Sequence, residues 1–233
     1  CSTEIMQSVM NSLKTPSNIT RRDCIAAAIA ATLVGLKPTA SAANVANAPA
    51  RILVIGDSLS AEYGLKRGSG WVALLEKKLL DEKVPALVVN ASISGDTTSG
   101  GLTRLNPLLA QHKPSLVVIE LGGNDALRGL SLEMTRTNLV KMTRTAQRAG
   151  ARVLLLGMQM PPNYGRDYSQ KFTSMYGAVA KSTGAGLVPF MLKGIADAPD
   201  SLVWFQADRI HPKEAAHPII LANVWPALKK ELK

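Results

Sequence analysis

Ser58 follows directly on an apolar, strand-like run in the stretch ILVIGDSLSAEYG at residues 52–64. A serine hydroxyl is a weak nucleophile at neutral pH, and becomes effective beside a base, most often a histidine that a carboxylate orients. The chain holds 3 histidines. His112 closes a helical stretch ahead of Lys113-Pro114, where a C-terminal capping role accounts for it. His217 lies inside the last helical stretch just before Pro218, which suits a surface or capping role. His211 sits in Asp208-Arg209-Ile210-His211-Pro212, a loop ahead of a helix whose first position suits Pro212. An aspartate three residues before a histidine on one turn can reach its Nδ1–H, so Asp208 and His211 make an orienter and a base from one segment. Acyl transfer also needs donors aimed at the developing oxyanion. Gly95 can bring a bare backbone N–H close to a ligand, and Asn124, behind Gly122-Gly123, offers a side-chain amide. Taken singly, these glycine pairs are ordinary turn formers. Asp57 and Asp125 are alternative carboxylates beside the same residues; a turn-forming role suits them better, because side chains on adjacent residues diverge.

Such groups must be brought together by the elements around them. The runs RILVIG (51–56), ALVVNAS (86–92), SLVVIEL (115–121), RVLLLGM (152–158) and GLVPF (186–190) are nearly continuous in apolar character, as parallel strands covered on both faces are. Between them, 71–80, 101–112, 132–150 and 168–182 carry apolar residues at three- and four-residue spacing, and a last helix is expected from about Pro212 to Leu232. Gly150 ends the third of these where a C-terminal glycine belongs. This alternation predicts an α/β fold, a three-layer α/β/α sandwich with right-handed crossovers. Ligands in such sheets bind beyond the carboxyl ends of the strands. Asp57-Ser58, Ser94-Gly95-Asp96 and Gly122-Gly123-Asn124-Asp125 all fall there, after the first three runs.

Composition narrows the classes of function. Residues 43–233 hold 23 Lys/Arg against 15 Asp/Glu, yet the cations are scattered and only 4% of the chain is aromatic. A nucleic-acid platform needs stacking rings beside its cations, so none is expected. Thr20-Arg21-Arg22, the apolar run 24–36 and Ala40-Ser41-Ala42 form the n-region, h-region and small-residue cleavage site of an export signal, with Sec and Tat both open. The expected division is an extension and signal at 1–42, a linker at 43–50 and the folded domain at 51–233, in the periplasm or secreted. Both cysteines, Cys1 and Cys24, precede the cut, so the mature domain has no disulfide and no catalytic thiol.

Four blocks resemble the SGNH (GDSL-type) hydrolases: GDSLS at 56–60, SGD around Gly95, GGND at 122–125 and the D-x-x-H-P of Asp208 to Pro212. The likeness covers essentially all of 51–233. NASISGDT (90–97), ELGGNDALRG (120–129) and PPNYG (161–165) are similar to the bacterial periplasmic thioesterase/lysophospholipase/arylesterase branch. The resemblance implies a five-stranded parallel sheet in flavodoxin-like order. It implies Ser58 as nucleophile, His211 as base and Asp208 as orienter, with the N–H groups of Ser58 and Gly95 and the Asn124 side chain as oxyanion hole. Asp57, Leu59, Pro161, Pro162 and Tyr164 are the expected substrate contacts. Substrates would be aryl or acyl esters, acyl thioesters and lysophospholipids, handled through an acyl-enzyme without cofactor or metal. No stable membrane anchor and no second subunit are expected. Glu62 and Lys213 depart from the family pattern and leave substrate preference open. The segments 95–101 and 158–165 are expected to shape an acyl pocket, with glycines at 95, 100 and 101 making the first a mobile loop.

Competing readings fit less well. No G-x-S-x-G pentapeptide occurs. GSGWVA at 68–73 matches a dinucleotide fingerprint but follows a polar loop, not a strand. His211, Glu214 and His217 lack the i, i+4 pair of a zinc helix. A carbohydrate O-acetyl esterase of the same fold, or a non-catalytic protein holding an acyl ligand in the same crevice, are the alternatives.

Overall fold

The computed structural model describes residues 49–160 and 162–233; the expected export signal and most of the expected linker lie outside the described residues. Five short runs rich in Val, Ile and Leu form β1 (Ala50–Gly56), β2 (Ala86–Asn90), β3 (Leu116–Glu120), β4 (Arg152–Leu156) and β5 (Gly186–Val188). All neighbours pair in parallel, in the order β2-β1-β3-β4-β5. The first strand thus lies inside the sheet, with β2 on one side and β3 to β5 on the other, which leaves a crevice at the β1/β3 reversal.

Burial follows sheet position. Ile52 to Ile55, Leu116 to Ile119 and Val153 to Leu156 are all buried, because β1, β3 and β4 carry helices on both faces. On the edge strand β2 the pattern relaxes, and Leu87 stands exposed. One helical layer pairs α1 (Trp71–Asp81) with α6 (His217–Glu231). The other packs α2 (Thr98–His112) on α4 (Leu132–Arg148), and α4 on α5 (Arg166–Thr183). A short α3 (Gly123–Leu127) follows β3. Ser131 begins α4 by accepting the Met134 N–H, and Gly150, at φ 87°, lets the chain leave it.

Three expectations change. Thr97 accepts the Gly100 N–H and starts α2 at Thr98, so Gly100 and Gly101 are helical and not part of a mobile loop. Gly101 is bare because α2 packs closely on Leu121 and Met142. Pro212 does not open the last helix: it pairs with Phe205 in an antiparallel bridge, and Pro218 takes the first turn of α6. His217 is neither at the surface nor capping its own helix. It is 1% exposed, and its Nδ1 accepts the Trp71 N–H at 3.0 Å, capping α1 instead.

Candidate active site

At the end of β1 the chain turns tightly around Asp57. The Asp57 carboxylate accepts the Leu59 N–H at 3.0 Å, and its carbonyl accepts the Ala61 N–H at 2.9 Å. This turn leaves Ser58 half-buried at the sheet edge, with its own N–H unpaired among the described residues. The reason for Gly56 lies beneath: a Cβ there would stand 2.7 Å from Glu120 Oε2. Glu120 ends β3, and its Oε2 accepts the Ser60 hydroxyl at 2.7 Å and the Asp57 N–H at 3.2 Å.

The second segment is a clamped loop. Gln206 N–H donates to the His211 carbonyl at 2.8 Å, and Lys213 N–H donates to the Trp204 carbonyl at 2.7 Å, flanking the Phe205–Pro212 bridge. Within it, Asp208 Oδ1 accepts the Ile210 and His211 N–H groups at 2.9 and 3.0 Å. Asp208 Oδ2 lies 2.7 Å from His211 Nδ1, and His211 Nε2 lies 2.8 Å from Ser58 Oγ. A carboxylate can only accept, so Nδ1 carries the proton and Nε2 is left to accept from the serine. Partial burial of Asp208 works to raise its pKa, but the His211 backbone N–H and ring and the Ile210 N–H outweigh it and hold the carboxyl at about 2. The Tyr63 ring lies over the imidazole, with centroids 4.3 Å apart.

Two further segments complete the rim. Ile93 N–H donates to the Gly56 carbonyl at 3.0 Å, bringing the 91–97 loop alongside the end of β1. Arg104 secures that loop, pairing with Asp96 at 2.7 Å and donating to the Ala91 and Gly56 carbonyls. Gly95 adopts φ 78°, a conformation that favours glycine, and its N–H has no acceptor among the described residues. Asn124 enters from α3, where one amide N–H donates to Asp57 Oδ2 at 2.9 Å and the other is left over. Burial drives the Asp57 pKa up to about 6, against the lowering influence of the Leu59 N–H, the Asn124 amide and His211. Desolvation, then the charge of Asp57, pushes Glu120 well above the usual carboxylate range.

Ser58, His211 and Asn124 open onto a cleft of about 270 Å³. Asp57 and Leu59 line it, as do Met158 and Met160 from the segment expected to do so. Pro161 lies outside the described residues, and Pro162 belongs to a short 3-10 turn, Pro162–Tyr164. Tyr164 is exposed on that turn and is not part of the lining. The apolar wall comes largely from residues the sequence did not single out: Leu127, Leu192, Ala196, Phe205 and Ile210. Glu120 and Arg104 were also missed. The available signal for Glu120 was a charged residue closing an otherwise apolar run. Among the described residues, no group of three or more His, Cys, Asp and Glu could hold a metal ion, and His217, one member of the trio considered, is turned to Trp71.

The chain is 55% identical over 178 residues to Esterase TesA of Pseudomonas aeruginosa, covering 76% of this chain and 87% of that protein. It is 42% identical over 169 residues to Thioesterase 1/protease 1/lysophospholipase L1 of Escherichia coli K12, covering 72% and 78%. A solved structure of the psychrotrophic esterase EstA from Pseudoalteromonas sp., inhibited by monoethylphosphonate, matches with a TM-score of 0.73 at 42% identity over 78% of this chain and 98% of that one. The family model that matches residues 54–219 contains the Asp57-Ser58 turn, Gly95, Asn124 and the Asp208–His211 loop, and by it the chain belongs to the GDSL-like Lipase/Acylhydrolase family.

Proposed function

We propose that the protein is a serine esterase and thioesterase, with Ser58 as nucleophile, His211 as base and Asp208 as its orienter. The observation that carries the reading is the unbroken chain from Asp208 through His211 to Ser58, with contacts of 2.7 and 2.8 Å. His211 Nε2 takes the hydroxyl proton as Ser58 Oγ attacks the acyl carbonyl, and Asp208 stabilises the imidazolium. The N–H groups of Ser58 and Gly95 and the remaining Asn124 N–H receive the oxyanion. His211 then protonates the leaving alcohol or thiol and activates the water that releases the acid. Aryl and acyl esters, acyl thioesters and lysophospholipids are the substrates this reading favours. The names borne by the relatives and the apolar wall of the cleft support that choice.

Ser58→Ala should abolish hydrolysis of p-nitrophenyl and thioester substrates with an unchanged circular dichroism spectrum. A serine-directed phosphonate should add one phosphonyl group to the wild type and none to the variant. Retained turnover in Ser58→Ala would end the serine mechanism. The protein is also proposed to be exported and cut after Ala42, on the pattern of residues 20–42. N-terminal sequencing of protein recovered from a periplasmic fraction should begin at Ala43; recovery of an uncut chain only in the cytoplasm would contradict it.

A further inference from the structure

Arg209 adopts φ 61°, in the left-handed region that costs a residue with a Cβ and costs glycine nothing. It stands between the orienter Asp208 and the base His211, so the site carries this strain in its most constrained loop. Nothing within the fold rewards an arginine there. Its side chain makes no hydrogen bond or ion pair among the described residues, and Asp208 is already engaged by His211 and two backbone N–H groups. Arg209 is exposed and lines the cleft beside Ile210 and His211, and it is the one lysine or arginine in that lining among the described residues. Apart from Gln159, the wall away from the catalytic rim, formed by Leu127, Met158, Met160, Leu192 and Phe205, is apolar and suited to the acyl half of a substrate. A guanidinium at the rim therefore meets the other half.

We propose that Arg209 is a specificity-determining residue that holds a phosphate-bearing leaving group, favouring esters and thioesters whose alcohol or thiol half is anionic over neutral ones with the same acyl chain. The planar guanidinium fork matches phosphate oxygens in a way that a point charge does not. This assignment rests on the hydrolase reading above. The phosphate could belong to a nucleotide thiol or to a lipid headgroup, and matched pairs tell these apart. One pair is an acyl-CoA and the N-acetylcysteamine thioester of the same acid; the other is a lysophosphatidylglycerol and the corresponding monoacylglycerol.

For each pair, the ratio of kcat/KM for the anionic to the neutral substrate is the readout. Arg209→Gln should lower that ratio about tenfold in at least one pair, largely through KM, and Arg209→Lys should restore part of it. The pair that responds identifies the source of the phosphate. Arg209→Gly relieves the left-handed strain, so it should melt no lower than wild type while losing the ratio as Arg209→Gln does. Salt should lower the wild-type ratio by screening the rim charge and leave that of Arg209→Gln nearly flat. Lys141→Gln removes an exposed charge from α4 and should leave both ratios as they are. Ratios within twofold of wild type in Arg209→Gln for both pairs would overturn the assignment, as would an equal loss in Lys141→Gln, which would mean long-range attraction alone. A wild-type protein that hydrolyses none of the four substrates would instead remove the hydrolase reading and this assignment with it.

Discussion

Each polar group at the rim is held by a partner that leaves one valence over for chemistry. Asn124 spends one N–H on Asp57 at 2.9 Å and keeps the second. His211 commits Nδ1 to Asp208 and keeps Nε2. Removing a single oxyanion donor typically costs about 10²–10³ in kcat, so Asn124→Ala should lose that much turnover with KM little changed. Asp57→Asn tests whether the carboxylate acts through Asn124. An asparagine at 57 presents only one acceptor where the carboxylate serves both the Leu59 N–H and the Asn124 amide. If its role is to aim Asn124, the double variant Asp57→Asn/Asn124→Ala should be no slower than Asn124→Ala within about threefold, because coupled sites are non-additive. A fully multiplicative loss would assign Asp57 a role independent of Asn124.

At the scale of elements, the site depends on how β3 hands over to α3. Gly122 takes φ 119°, and a Cβ there would stand 2.5 Å from the Tyr176 hydroxyl, which donates to the Leu121 carbonyl at 3.0 Å. Gly129, at the other end of α3, also has a positive φ of 66° but open space around it. Left-handed backbone alone costs a side chain about 1–2 kcal/mol. Gly129→Ala should therefore lower the melting temperature by several degrees, and Gly122→Ala by clearly more while also slowing turnover, because α3 carries Asn124. Equal shifts in a thermal melt would mean that Tyr176 moves aside freely. The same elements show what the sequence could and could not reveal. The Ser58, Asp208 and His211 arrangement was legible because its chemistry restricts residue type, local spacing and position at strand ends. Beyond Leu59, Met158 and Met160 the apolar wall was not, since Leu192, Ala196, Phe205 and Ile210 come from loops without a period. The His217 cap escaped notice because its partner, Trp71, is 146 residues away. Pro212 misled because proline suits a helix start and also an isolated bridge that does not call on its missing N–H.

Across the whole molecule, one buried histidine and two buried carboxyl groups tilt stability in opposite directions with pH. Desolvation lowers the His217 pKa below its usual 6.5. As pH falls below 6.5 the unfolded chain takes up a proton that the folded one refuses, so stability present above 6.5 is lost toward acid. An imidazolium could not accept the Trp71 N–H at all; His217→Asn, which keeps an acceptor, should flatten this acid limb. Asp57 and Glu120 act the other way. Burial raises Asp57 to about 6 and Glu120 well above its usual value, the latter also through the charge of Asp57. The folded state therefore holds protons that the unfolded carboxylates have already released, and their contribution, complete at acid pH, is lost as pH rises through those raised values. Glu120 is fully buried and its Oε1 has no partner among the described residues, whereas Oε2 accepts two donors, so the retained proton belongs on Oε1. Glutamine is close in shape to that protonated acid, carries an NH2 with one hydrogen more than the O–H it replaces, and cannot ionise. The stability of Glu120→Gln in urea, relative to wild type, should accordingly be lowest below the ordinary glutamate value of 4.5 and rise as pH increases toward 8. A constant difference across that range, or a variant weaker at pH 8 than at pH 5 relative to wild type, would mean that Glu120 is ionised in the folded protein and that the carboxylate floor beneath Ser58 is held together by charge.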